Sequence, residues 1–145
     1  MFTLAELSRQ FPNSRYHADQ HIVTWHPDGV LDNDCADRAV AFMELAEKIE
    51  GKPFNRYVDM TGHSRIQIDL DHIVRLARRR RSYRGPRVKT AFYAVRLISL
   101  TVARMYQELM VGSNIEVCIF PEREAAAAWL GVPETILPKQ RRKSS

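Results

Sequence analysis

The chain has 145 residues, of which 45% are hydrophobic and 27% charged, and its formal net charge at pH 7 is +5. A chain of this length and composition predicts one folded domain with its own core, and it excludes a disordered, collagen-like or disulfide-dependent protein. The two cysteines lack a CxxC spacing, and charged residues interrupt the longest apolar stretch, 88–111, which argues against a membrane span.

Capping signals and apolar periodicity predict regular elements along most of the chain. Thr3 followed by Glu6 is a capping-box pattern, and alternation on both sides of 18–20 predicts a hairpin. Glycines and prolines mark where the predicted helices end. In chain order the predicted elements are a helix over 3–10, strands over 14–18 and 21–26, a helix from Asp32 or Asn33 to Gly51, a strand over 56–60, a helix over 69–83, a strand over 88–95, a helix over 97–112, a strand over 114–120 and a helix from Pro121 to Gly131.

This order of elements predicts an α/β fold, with an N-terminal hairpin followed by alternating helices and strands. Right-handed crossovers between successive strands would make a mixed β-sheet that is largely parallel and flanked by helices. Residues 1–132 are expected to form the single domain, in which 1–12 carry the short N-terminal helix. Residues 133–145 are expected to be an extended, basic and disordered tail.

Four stretches of the sequence share a pattern with known proteins. The first is a strand, a charged step and an alanine-rich turn, EVCIFPEREAAAAWL, and the second is the helix before it, TVARMYQEL. The third is a central strand that ends in Asp, YVDM, and the fourth is a glycine turn with an acidic helix entry, GVLDNDCADRAVAFM. In this order they resemble the SpoIIAA-like family, part of the wider STAS group, over roughly residues 14–131. The best-known STAS members are anti-sigma-factor antagonists. The resemblance implies a small mixed sheet flanked by helices.

An interaction loop is expected between the 56–60 strand and the next helix. STAS antagonists carry a phosphorylatable serine directly after the aspartate at this helix start, whereas here Leu70 follows Asp69. The usual phosphosite therefore lacks its serine, and the hydroxyls of Thr61 and Ser64 are expected to bond loop amides, with a regulatory phosphate on either as the alternative. The candidate interaction residues are Asp59, Thr61, His63, Ser64 and Asp69.

A basic band lies near the middle of the chain. Residues 75–89 contain eight arginines and lysines and no acidic residue, and the tail KQRRKSS adds four more. The candidate anion-contact residues are Arg78, Arg79, Arg80, Arg81 and Arg84. Consecutive helical residues are about 100° apart, so the four adjacent arginines surround the helix, and Arg80 or Arg81 is expected against the body. The preferred interpretation is a solvated helix end whose positive charges offset the helix dipole, rather than a site for an anionic partner. Nucleic-acid binding is disfavoured because Tyr83 is the only aromatic residue among these basic residues.

The predicted helix over 97–112 has more apolar side chains than one sheet-facing stripe needs. Its expected buried face consists of Ile98, Val102, Met105, Tyr106 and Leu109, while Leu97, Leu100, Met110 and Val111 lie elsewhere. The surplus indicates a homodimer contact or a pocket for a small amphipathic ligand near Tyr93, Arg96 and Tyr106. A plain core helix is the remaining alternative.

No set of residues predicts catalysis, a metal site or a cofactor. His63 and Ser64 are adjacent, which rarely gives a nucleophile and base their geometry, and the histidines and cysteines are not spaced as metal ligands. The sequence has neither a P-loop nor a dinucleotide-binding glycine motif. We therefore expect a protein that is not an enzyme.

Three functional hypotheses remain. The first is a homodimeric regulatory module that binds an unidentified protein, and the second is a carrier or sensor of a small amphipathic, lipid-like ligand. The third is binding of nucleic acid or another anionic partner through the arginine band. The N-terminus has no basic start or long apolar core, so a cytoplasmic protein of bacterial type is expected.

Overall fold

The computed structural model describes residues 3–138, which form an α/β fold. The helices in this range are α1 (Leu4–Gln10), α2 (Asn33–Ile49), α3 (Leu70–Arg80), α4 (Leu97–Leu109) and α5 (Arg123–Leu130). The strands are β1 (Ser14–His17), β2 (Ile22–Trp25), β3 (Gly29–Asp32), β4 (Asn55–Asp59), β5 (His63–Gln67), β6 (Val88–Tyr93) and β7 (Ile115–Phe120). Short 3-10 turns span Ala18–Gln20 and Glu134–Ile136.

The main sheet has five strands in the order β1-β2-β4-β6-β7. β1 and β2 form the predicted antiparallel hairpin, in which Ser14 lies opposite Trp25. The other neighbours are parallel, and β4 is central, with Val58 opposite Phe92 of β6. The predicted hairpin, parallel pairing and mixed sheet are therefore confirmed, while the finer STAS assignment stays a prediction.

Strands β3 and β5 form a second, parallel pair that was not predicted. Leu31 of β3 lies opposite Ile66 of β5, and Gly29 enters β3 with a positive φ of 71°. Residues 63–67 were expected to be loop, because the short segment HSRIQ has only one strongly apolar side chain. Pairing with β3, which no local pattern reveals, makes this segment a strand.

Local capping explains where the helices begin and end. The Thr3 hydroxyl accepts a hydrogen bond from the Glu6 amide at 3.2 Å, as its spacing predicted. Of the two candidate caps for α2, Asp32 is the one used, since its carboxylate accepts from the Cys35 amide at 2.8 Å. Gly131 ends α5 in the left-handed conformation, with φ of 72°, which glycine adopts without strain.

Different helices pack on the two faces of the main sheet. Val58 faces helices α2 to α4 and packs in a cluster that includes Leu76 and Ala103. Tyr57, its neighbour on β4, points the other way and packs in a cluster with Ala126 of α5. Helices from three successive crossovers thus share one face, and α5 covers the other.

The first part of the expected tail belongs to the folded body. Glu134–Ile136 form a 3-10 turn, and Leu137 is buried in the cluster beneath α5. The Arg123 guanidinium donates to the carbonyl oxygen of Leu137 at 3.3 Å. This packing differs from the predicted extended segment after residue 132, because Ile136 and Leu137 supply apolar contacts. Residues 139–145 lie outside the described range.

The face that helix α4 packs against the body matches the predicted one only in part, since Tyr106 and Leu109 do pack against a buried cluster. Its buried side chains are Ser99 and Ala103, and Met110, directly after the helix, is also buried, whereas Ile98 is 49% exposed. Small residues at the contact let the helix approach its neighbours closely, so the bulkier apolar side chains are left at the edges of the interface. The placement of Ile98 on the packed face and of Met110 among the surplus apolar groups was therefore wrong.

Candidate functional site

A cavity of about 180 Å³ lies between the main sheet and helices α2, α3 and α4. Val58 and Phe92, on neighbouring strands near the centre of the sheet, line it. Both side chains are only half-buried, although central strands of a parallel sheet are normally covered on both faces. The helices above these two residues therefore leave space that the chain's own side chains do not fill.

The cavity wall is mainly apolar because the covering helices carry small residues at inward positions. The helical residues that line it include Ala36, Ala39, Val40, Phe42, Met43, Ile73, Leu76, Val102 and Ala103. Side chains around an unfilled space lack packing contacts on one side, which is unfavourable. A bound apolar group would restore these contacts.

The charged side chains of the lining are Arg56 and Arg80, and Glu47 joins them. Arg56 of β4 donates to Glu47 at 2.6 Å, and Arg80 at the end of α3 donates to the other carboxylate oxygen at 3.0 Å. A second hydrogen bond links Arg80 to the oxygen that Arg56 uses. Arg56 and Arg80 are 3% and 4% exposed. We call these three residues the arginine–glutamate cluster.

The surroundings of Arg56 hold its guanidinium in place. Its Cζ lies 4.6 Å from the ring centroid of Phe54 and 5.5 Å from that of Tyr83, within cation–π range. Burial lowers the pKa of Arg56, and the negative charge of Glu47 opposes that shift. Its Nε is buried and has no hydrogen-bond partner among the described residues. Arg56 is therefore a fixed cation with one donor to spare.

Two further titratable groups line the cavity. His63 of β5 is buried, and this burial lowers the pKa of its imidazole. Tyr106 of α4 packs its ring edge-on against Phe92, with centroids 5.9 Å apart. Burial raises the pKa of Tyr106, and the charge of nearby Arg80 opposes that shift. Both groups therefore favour their neutral forms at neutral pH.

Much of the predicted arginine band is taken up by contacts within the fold. Arg79 makes a forked pair with Glu44, and Arg80 is buried in the arginine–glutamate cluster. Arg81 donates to the carbonyl oxygens of Leu109 and Val111 at 3.1 and 2.7 Å, at the end of α4. The band is therefore not one anion-binding surface.

The remaining two candidate anion-contact residues, Arg78 and Arg84, are exposed. Arg84 donates to the Arg81 carbonyl oxygen at 3.4 Å. The expectation that Arg80 or Arg81 would lie against the body is confirmed by the burial of Arg80.

The predicted interaction loop does not form one contact edge. Asp59 is fully buried and accepts hydrogen bonds from the amide and hydroxyl of Thr61, at 2.8 and 2.6 Å. His63 is also buried, whereas Ser64 and Asp69 are exposed. Thr61 thus bonds a carboxylate, where a loop amide was expected, and Asp59 and His63 offer nothing to a docking protein.

Asp69 connects two elements that the sequence keeps far apart. Its carboxylate accepts from the side-chain amide of Asn33 at 3.0 Å, and its own amide donates to the Asn33 side chain at 3.0 Å. This reciprocal pair ties the start of α3 to the start of α2. The aspartate predicted to open α3 is therefore occupied with structural contacts.

The predicted pocket trio is not assembled. Tyr93 packs against the cluster beneath α5, on the face of the sheet opposite the cavity. Arg96 is exposed and donates to the carbonyl oxygen of His63. Only Tyr106 of the three lines the cavity. The prediction failed for Tyr93 because adjacent strand residues point to opposite faces, and Phe92 is the one that faces the helices.

Sequence reasoning missed Arg56 and Glu47. One signal was available: in the strand stretch RYVDM, Arg56 shares a face with Val58, so the period of two places a cation on an apolar face. An arginine there requires a buried acidic partner. The identity of that partner was not readable, because Glu47 lies on another element.

Comparison of the chain with protein-family models, curated proteins and solved structures finds no match. Across residues 3–138, the helices are too short or too polar to cross a membrane. Cys35 and Cys118 are both free thiols.

Proposed function

We propose that the protein is a carrier or sensor of a small amphipathic ligand held between the main sheet and helices α2 to α4. The observation that carries this proposal is the apolar cavity of about 180 Å³ above half-buried Val58 and Phe92. Engineered cavities of about 150 Å³ with apolar walls bind benzene or xenon. The volume therefore fits a small ring or a short alkyl chain.

This function was the second hypothesis from the sequence, and the geometry favours it over the first. The regulatory-module hypothesis depended on the loop from Asp59 to Ser64, in which Asp59 and His63 are buried. No catalytic role is proposed for any residue. The arginine-band hypothesis loses support because Arg79, Arg80 and Arg81 all bond other parts of the chain.

A titration with toluene tests the proposal. Methyl NMR spectra of the full chain are expected to show saturable shifts for Val40, Val58 and Val102, which line the cavity. The methyl groups of Val132, which packs beneath α5, serve as the internal control and should not move. Binding to the folded state alone also raises Tm. Absence of saturable shifts at the lining residues would refute the proposal.

A protein-interaction role is a second candidate, and one observation favours it. Val95, Leu97 and Ile98 precede or open α4 and are 54%, 79% and 49% exposed. Exposed large apolar side chains that follow one another in sequence are typical of contact surfaces. We propose that this segment, rather than the loop after β4, mediates the predicted homodimer.

A further inference from the structure

The arginine–glutamate cluster contains more positive than negative charge. Arg56 and Arg80 are both nine-tenths buried or more, and both bond Glu47. Two guanidinium groups and one carboxylate leave the cluster with one uncompensated positive charge. Burying a charge is unfavourable unless it is paired, so this arrangement favours an additional nearby anion.

Among residues 3–138, neighbouring groups do not supply that anion. The groups that act electrostatically on Arg56 are Glu47, Arg80 and Tyr83, and those that act on Arg80 are Glu47, Tyr106 and Glu44. Glu44 already pairs with Arg79, which makes a forked contact with both of its oxygens. The tyrosines favour their neutral forms, because burial raises the pKa of Tyr83 and of Tyr106.

Both arginines of the cluster lie where a ligand would meet an apolar and a charged surface. Arg56 and Arg80 line the apolar cavity, and the Nε of Arg56 is buried with no partner among the described residues. A guanidinium presents its donors in a planar fork that matches a carboxylate. A ligand can therefore place an apolar body in the cavity and its anionic group on the cluster.

We propose that the ligand is a small monocarboxylate with an aromatic ring or a short alkyl chain, whose carboxylate binds Arg56 and Arg80 beside Glu47. This inference rests on the proposed binding function and names the chemical class of the ligand. A single negative charge makes the cluster neutral. A phosphate monoester carries about −1.5 to −2 at pH 7 and would leave the cluster negative, so a carboxylate is the better match.

The test compares three probes of similar shape on the unaltered full chain: 3-phenylpropanoate, 3-phenylpropanamide and propylbenzene. Affinity is measured by isothermal titration calorimetry near neutral pH. The carboxylate is expected to bind at least about tenfold more tightly than the amide, as charge-assisted hydrogen bonds do relative to neutral ones. This comparison needs no mutation, so it does not depend on a variant that folds.

Two variants locate the effect. Arg80→Met keeps similar volume and leaves Arg56 paired one-to-one with Glu47, so the preference for the carboxylate should disappear while propylbenzene still binds. Arg78→Met is the matched control: Arg78 is an exposed arginine on the same helix that does not line the cavity, so the preference should persist.

The outcomes separate this inference from the proposed function. Binding of propylbenzene and amide with no gain for the carboxylate would overturn the monocarboxylate inference and leave the cavity function intact. Failure of all three probes to bind would overturn both. A carboxylate preference that persists in Arg80→Met would show that another part of the protein binds the carboxylate. This outcome would also overturn the inference.

Discussion

His63 is the residue whose titration bears most directly on the cavity. It is 3% exposed, lines the cavity, and its Nδ1 has no hydrogen-bond partner among residues 3–138. Burial lowers its pKa from the ordinary value of 6.5. Protonation therefore places a charged imidazolium ring in an apolar site. We expect acid to lower the stability of the fold through this residue.

We predict that His63→Gln reduces the loss of stability in mild acid. Because the folded pKa is lowered, the unfolded chain binds its proton first, so stability is complete above about pH 6.5 and falls as pH decreases toward the folded pKa. Urea denaturation at about pH 7.5 and about pH 5.5 measures the free energy of unfolding, and the difference between the two should be smaller in the variant than in the parent chain.

His21→Asn is the matched control for this prediction, since His21 is exposed and asparagine tolerates its positive φ of 49°. His17 also has a pKa lowered by burial, so part of the acid dependence should remain in His63→Gln. Identical pH dependence in His63→Gln and the parent chain would contradict the assignment.

Individual side chains were predictable where their signal was local. The Thr3 cap follows from the spacing of residues in α1, and the burial of Arg80 follows from their spacing in α3. Glu47 and Arg56 were missed because the hydrogen bond between them joins α2 to β4. The alternation of side chains along a strand indicates only that Arg56 faces inward. Tyr93 was placed in the pocket although the alternation of β6 sends it to the other face.

Helix α2 combines good capping with an inner face of small residues. Asp32 caps its first turn, and Ala36 and Ala39 face the cavity. Side chains one turn apart lie on the same side of a helix, so these two alanines together leave room beneath it. The cavity is thus a property of this element's composition as much as of the sheet.

We predict that Ala39→Leu fills part of the cavity. The added side chain should raise the free energy of unfolding by about 1 kcal/mol, at about 24 cal/mol per Å³ of cavity removed. The same change should weaken binding of toluene at least severalfold, because protein and ligand compete for one space. Urea denaturation and calorimetric titration measure the two effects on the same protein sample.

Ala41→Leu provides the comparison, because Ala41 is exposed on the same helix and does not line the cavity. It should leave both the affinity for toluene and the free energy of unfolding nearly unchanged. If Ala39→Leu binds toluene as tightly as the parent chain does, the ligand does not occupy the space beneath α2.

Elements with strong periodicity or a local turn or capping signal were predicted well, whereas β3 and β5 were not. The parallel strands and long helices carry apolar patterns that extend over many residues. β3 and β5 have four and five residues, and their pairing depends on each other rather than on either segment alone. The buried face of α4 was misjudged because Ser99 and Ala103 pack more closely than larger side chains could.

At the level of the whole molecule, the two faces of the sheet have separate roles. The face toward α2, α3 and α4 holds the cavity and the arginine–glutamate cluster, while the face beneath α5 is a packed core that includes Tyr57 and Leu137. The predicted homodimer involves neither face, since its proposed contact residues lie at the start of α4.

We predict that the chain forms a dimer that Leu97→Glu converts to a monomer. Leu97 is 79% exposed, and a charge placed there would be desolvated in any interface. Native mass spectrometry gives the subunit count and also detects any retained ligand mass. Val111→Glu, at a 72% exposed residue near the far end of α4, should remain dimeric. A monomeric parent chain would show the dimer prediction to be wrong.

The order of strands in the main sheet has a consequence for how the chain assembles during synthesis. From β2 through β4 and β6 to β7, each new strand is added at the growing edge of the sheet, in the order in which the ribosome delivers it. No strand has to be inserted between two that are already paired. Domains that form from the N-terminus onward can thus add one crossover at a time, and α5 with the turn that follows it arrives last to close the second face.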